Sequence, residues 1–202
     1  MRLITLLTMS LLLFTTGCSK APEKKTITIV NAAAVDAPLL ERVRVFAEKE
    51  LRVPVRTLEN PKLAGAKNFQ QLEKTARRVK TAGDVTLIVL AGMNHEPLHL
   101  GVYTNSGIAL INAQILYTAD SEKFARRIER QVMRAAAFSF GLTPTPDPFC
   151  VTRDYRSLED LDTMGRNFSP PWQGRYAAEA VKRGLSPIDT KGERIKERLP
   201  VK

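Results

Sequence analysis

The chain has two histidines, and they stand in a His-Glu-x-x-His spacing, His95-Glu96-Pro97-Leu98-His99. On an α-helix that spacing puts both imidazoles on one face, where they bind zinc while the glutamate takes a proton from water. A catalytic zinc needs about three protein ligands and an open place for water. With no third histidine, the third ligand would have to be a carboxylate. Pro97 works against the helix itself. In a helix interior proline removes a backbone hydrogen bond and clashes with the preceding turn, at a cost of about 3 kcal/mol. An apolar run ends at Leu90 and a hairpin pattern begins at Leu100, which leaves no room for an active-site helix. His95 and His99 are therefore read as loop residues, at most a weak metal-binding pair. A helix at this motif would restore a peptidase reading.

The other residues with distinctive chemistry are the 2 cysteines, Cys18 and Cys150. Before Cys18, Arg2 supplies a positive charge and Leu3 to Phe14 is apolar apart from Thr5, Thr8 and Ser10. That run is too short for a permanent membrane span and has the layout of a signal peptide. Thr15-Thr16-Gly17-Cys18 resembles the bacterial lipobox, with Thr15 where Leu is usual. The resemblance implies cleavage before Cys18 and acylation of its thiol, so that the mature protein is a lipoprotein anchored in the cell envelope. Ser19 stands where an Asp often signals inner-membrane retention, which favours the outer membrane. Ser19 to Lys25 is polar and holds Pro22, as suits a tether. The expected organisation is a signal peptide over 1–17, a tether over 18–25, one domain over 26–183 and a basic tail over 184–202. If Cys18 is acylated, Cys150 is left alone and no internal disulfide forms.

Hydrophobic residues make up 44% and charged residues 26%, as in an ordinary globular domain. The net charge of +10 suits a solvated basic surface, or attraction to anionic lipid or envelope polymers. An exported chain without an aromatic-interleaved basic motif gives no reason to expect nucleic acid. No Ser-His-acid cluster or glycine-rich phosphate loop emerges, and no cofactor is implied.

The pattern predicts a strand over Thr26 to Val30 and a helix capped by Asp36 that runs to Leu51. A second strand follows over Val53 to Leu58, with Pro54 marking an edge or a start. A helix is expected over Asn68 to Thr81. Val85 to Leu90 is almost wholly apolar and reads as the central strand. Leu100 to Tyr103 and Ile108 to Asn112 form a hairpin around Asn105-Ser106-Gly107. Asp120 or Ser121 starts a long helix with Phe124, Ile128, Val132, Ala135 and Phe138 in its stripe, and Gly141 stops it. Pro144, Pro146, Pro148, Pro170 and Pro171 mark an irregular stretch. A short helix is expected from Arg175 to Arg183. The fold class is α+β, a mixed sheet packed with helices.

This order of elements resembles the archaemetzincins, a family of zinc metallopeptidases. The sharpest likeness runs from Phe124 to Gln173. It lies in Arg126 to Met133, Gly141-Leu142, Pro146-Asp147-Pro148-Phe149-Cys150-Val151 and Ser157-Leu158-Glu159-Asp160-Leu161-Asp162. In that family the long helix carries His-Glu-x-x-His-x-x-Gly-x-x-His-Cys. The resemblance puts Arg134 at the first His, Ala135 at the catalytic Glu, Phe138 at the second His and Pro144 at the third. None of these ligates zinc, and Ala135 cannot take a proton from water. Of four cysteines expected at a second zinc site only Cys150 remains. Thr145, Pro170 and Gln173 stand at the other three positions, and Thr152 replaces a methionine.

The resemblance thus implies a zincin-like fold with a degenerate site. Phe138 and Ala135 suggest that the former metal cavity is packed shut. Arg134 is expected either near the old zinc position, paired with Asp147 or with the carboxylate of a ligand, or in solvent beside Arg126, Arg127 and Arg130. Cys150 is expected to be a small buried side chain. The function expected is that of an inactive pseudopeptidase holding a peptide or envelope protein. The alternatives are a zinc peptidase built on His95, Glu96 and His99, and a structural lipoprotein with no groove.

Overall fold

The computed structural model describes residues 23–188. The expected signal peptide, Cys18, most of the expected tether and residues 189–202 lie outside them. Five strands form one sheet in the order β2-β1-β3-β5-β4. They are β1 (Thr26–Ala32), β2 (Val55–Glu59), β3 (Asp84–Ala91), β4 (Leu100–Tyr103) and β5 (Ile108–Asn112). Four run parallel, and β4 returns antiparallel to β5 at the sheet edge. The third strand is central, as its apolar run requires, because it is covered on both faces. Ile27, Ile29, Ile88 and Leu90 face one core, and Val30, Leu87, Val89 and Leu110 face the other. Full burial of such a side chain contributes about 2 kcal/mol.

Helices α1 (Ala37–Leu51), α4 (Ser121–Ser139) and α6 (Pro170–Lys182) pack into the first core, and α2 (Phe69–Ala76) packs into the second. A single turn, α3 (Ala113–Leu116), follows β5, and α5 (Leu158–Thr163) lies against α4. The Asp36 carboxylate accepts the Leu39 N–H at 2.8 Å and fixes the start of α1. Asp120 does the same for α4 through the Lys123 N–H, at 2.9 Å. After α4, Gly141 adopts φ +82°, a left-handed conformation that ends the helix at little cost to glycine.

Three expectations need correction. The second helix stops at Ala76 rather than Thr81, because Arg78 and Val79 donate to carbonyls three residues back and the chain tightens into turns. The last helix starts at Pro170 rather than Arg175, since two prolines fit a first turn whose N–H groups have no helical partner. The proline-marked stretch also contains α5, whose first turn is capped by the Ser157 hydroxyl on the Asp160 N–H at 3.2 Å.

Arg127 and Arg130 do not lie on a solvated face. Arg127 donates to both Asp162 carboxylate oxygens, at 2.8 and 2.6 Å, and Arg130 donates to the Asp162 and Met164 carbonyls. These buried arginines tie α5 and the strand-free segment after it to α4.

Candidate functional site

The elements that matter are the edge strand β4, the facing side of α4 and the loop around Tyr155. They bound a cleft of about 500 Å³. Leu100 and Val102 of β4 line one wall, Arg134 and Phe138 of α4 another, and Tyr155 and His99 the end. Arg134 and Phe138 are one helical turn apart, so they share a face. The cavity expected to be packed shut is thus open, because Phe138 is only half-buried and leaves space between α4 and the edge strand.

Arg134 is 6% exposed, which overturns the solvent placement. Its partner is not Asp147 either. That carboxylate accepts the Phe149 N–H at 2.9 Å within its own turn. The guanidinium lies between two rings, 5.0 Å from the centroid of Phe138 and 4.9 Å from that of Tyr155. Nη1 donates to the carbonyls of Val151, at 3.1 Å, and of Arg153. Nε is buried without a hydrogen-bond partner among the described residues. Burial draws the guanidinium pKa below its ordinary value, while Tyr155 and Asp154 act in the opposite sense.

A polar chain runs beside it. The Gln131 amide donates to the Tyr155 hydroxyl at 2.6 Å, and that hydroxyl lies 2.7 Å from His99 Nδ1. The direction of that bond follows the imidazole tautomer, and a neutral ring protonated at Nε2 accepts the hydroxyl proton at Nδ1. Burial, and then the charge of Arg127, hold the His99 pKa below its usual value. The His99 and Tyr155 rings also stack, 5.5 Å apart. The Gln131 carbonyl oxygen is buried and unpartnered among the described residues.

The His95 to His99 segment is irregular, with no helix. His95 is exposed, His99 points to Tyr155, and Glu96 accepts the Phe69 N–H at 3.0 Å. The motif's three polar side chains therefore serve different parts of the fold. Ala135 is 0% exposed and belongs to the core, and Pro144 lies on an exposed loop. Only Arg134 and Phe138 of the four α4-register positions reach the cleft. The residues present do not fit a catalytic zinc, because a cation and a ring stand at two of the positions that the resemblance gives to ligands and a methyl group at the one it gives to the base. Among the described residues no group of three or more His, Cys, Asp or Glu gathers as a metal site.

Around Cys150 the arrangement is closed. The thiol is 0% exposed, lies 3.2 Å from the Thr152 hydroxyl and accepts the Ser169 N–H at 3.4 Å. Ser169 precedes Pro170, so the start of α6 does adjoin Cys150. Nearby, the Val151 N–H donates to the Asn167 carbonyl at 2.8 Å, and a Cβ on Gly165 would fall 1.8 Å from the Phe149 carbonyl oxygen.

The fold has counterparts among solved structures. The archaemetzincin from Methanopyrus kandleri superposes with a TM-score of 0.63 at 16% identity, covering 81% of this chain and 99% of that one. The fold is that of the archaemetzincins. A zinc-dependent peptidase from Methanocorpusculum labreanum gives a TM-score of 0.61 at 18% identity, over 74% of this chain and 99% of that one. The Archaeoglobus fulgidus archaemetzincin, complexed with malonate, gives 0.58 at 16% identity, over 74% and 99%. No protein-family model matches the chain, and no curated protein matches it. The likeness therefore lies in the archaemetzincin fold.

Tyr155, Gln131 and Arg156 were not singled out from the sequence. Gln131 had a local signal, since it precedes Arg134 by three residues on one helical face. Tyr155 had none, because only the long-range return of the loop brings it to the cleft.

Proposed function

We propose that the protein is an exported, lipid-anchored pseudopeptidase that holds an extended peptide without cutting it. The observation that carries this reading is the pairing of an open cleft with a helix face that has lost its chemistry. Arg134 and Ala135 occupy the positions that the archaemetzincin resemblance gives to a zinc ligand and the general base. β4 is an edge strand, the kind to which an extended peptide can add, and the cleft beside it offers space for side chains. The lipobox-like Thr15 to Cys18 supports export and acylation at Cys18, and Ser19 supports the outer membrane as the destination. No helix among the described residues is long and apolar enough to cross a membrane, so the thiol-linked chains would be the anchor.

The test uses the full chain in detergent micelles with acetyl-Val-Ala-Val-Ala-Val as the probe. The expected result is slowed amide hydrogen exchange at residues 100–103 and an intact peptide after prolonged incubation. Cleavage of the probe, or unchanged exchange along β4, contradicts the reading. Radiolabelled palmitate should enter the wild-type chain and not Cys18→Ser.

A further inference from the structure

The residues that line the cleft include two arginines and no acid, and Asp154 acts on Arg134 from outside that lining. Two other arginines on α4 have acid partners, Arg126 through Glu122 and Arg127 through Asp162. Arg130 lines a second cavity together with Asp120, Glu122 and Asp162, so it too has carboxylates around it. Arg134 is as deeply buried as Arg127 and Arg130 but forms no ion pair among the described residues. The cleft it lines adds a second cation, Arg156, and no acid. Its two carbonyl partners take only the Nη1 end of a group with five N–H donors. Val151 and Arg153 hold that end, and Phe138 and Tyr155 cover its faces, so the guanidinium is fixed before any ligand arrives.

We infer that this cleft takes the carboxylate of its peptide ligand on Arg134, with Arg156 at the mouth as a second cation. The inference rests on the peptide-binding reading above and adds the chemistry that the ligand must carry. With Nη1 bonded to two carbonyls and Nε buried, Nη2 is left to donate a charge-assisted hydrogen bond to a carboxylate, which the burial of Arg134 strengthens. The Leu100 and Val102 wall accepts apolar side chains beside the anchored group. The carboxylate comes either from a chain terminus or from an Asp or Glu side chain.

Three probes separate these cases on the full chain in detergent micelles, by titration calorimetry. They are acetyl-Val-Ala-Val-Ala-Val with a free terminal carboxylate, the same peptide as its amide, and acetyl-Val-Ala-Glu-Ala-Val amide. A carboxylate probe should bind about tenfold tighter than the neutral amide. The preference should vanish in Arg134→Met, which keeps the side-chain length, and a cooperative melt checks that variant's folding. Arg156→Gln, at an exposed position, should reduce the preference about threefold. Preference for the free acid alone assigns the terminus, and equal preference for the glutamate probe assigns any carboxylate. Both support the inference. Equal binding of acid and neutral probes, unchanged in Arg156→Gln and Arg134→Met, overturns the anchor and leaves strand addition standing. Failure of all three probes to bind overturns both.

Discussion

The protein has two regions where the archaemetzincin resemblance puts metal, and they have diverged in opposite directions. Around Cys150 the thiol is sealed by the Thr152 hydroxyl and the Ser169 N–H, and the Phe149 and Gly165 backbones touch. Along α4 the cleft remains, a cation stands in it, and polar atoms of Arg134 and Gln131 lack partners among the described residues. A position kept only for stability is free to become apolar and close-packed. Buried polar atoms without partners are costly, and natural interiors keep few of them. Of the four side chains with such an atom among the described residues, Gln131, Arg134, Ser139 and Tyr176, only Arg134 lines the cleft, which supports the binding role proposed for the α4 region.

Substitutions sharpen or break this contrast. The largest effect is expected at the closed region. Gly165→Ala forces a methyl group into the Phe149 carbonyl, and should lower the unfolding free energy by about 3 kcal/mol in a denaturant titration. Cys150→Ala leaves a small void and frees the Ser169 N–H, for a loss of about 1.5 kcal/mol by the same measurement. Arg134→Met should change stability by less than about 1 kcal/mol, because relief from burying a lone charge offsets two orphaned carbonyls. A large loss there would make Arg134 a structural residue and erase the contrast.

The smallest effect is one of pH. His99 has its pKa held below the usual 6.5, so the unfolded chain binds the proton more readily than the folded one. Stability then rises with pH where the unfolded state holds more protons. The His99 contribution is complete above pH 6.5 and is lost as the pH falls from there towards the lower folded value. The melting temperature of the wild type should drop more between pH 7.5 and 5.5 than that of His99→Gln. Equal drops would show that the Gln131, Tyr155 and His99 chain does not favour neutral imidazole.

Much of this architecture was legible in the sequence. Alternation located β1, helical stripes located α1 and α4, a continuous apolar run located β3, and the Asn105-Ser106-Gly107 turn located the β4–β5 hairpin. Pro97 excluded a helix at the histidine motif from local chemistry alone. The partners of Arg134 and Arg127 were not legible. Apart from the Phe138 ring, one turn along α4, they are carbonyls, a ring and an acid contributed from 11 or more residues away, and residue type alone does not say which way a long cationic side chain turns. The open cleft escaped for a related reason. Ala135 and Phe138 are both apolar, yet the first packs in the core and the second lines a wall, and only the packing of α4 against the sheet decides which.

The central claim is that α4 keeps the archaemetzincin scaffold without its metal chemistry. Zinc content of the full chain, purified without a histidine tag or chelator, tests it most directly. The account predicts far less than one zinc per chain in a protein that melts cooperatively. Near-stoichiometric zinc, lost on changing His95 or His99, would contradict it and make the histidine loop the active centre.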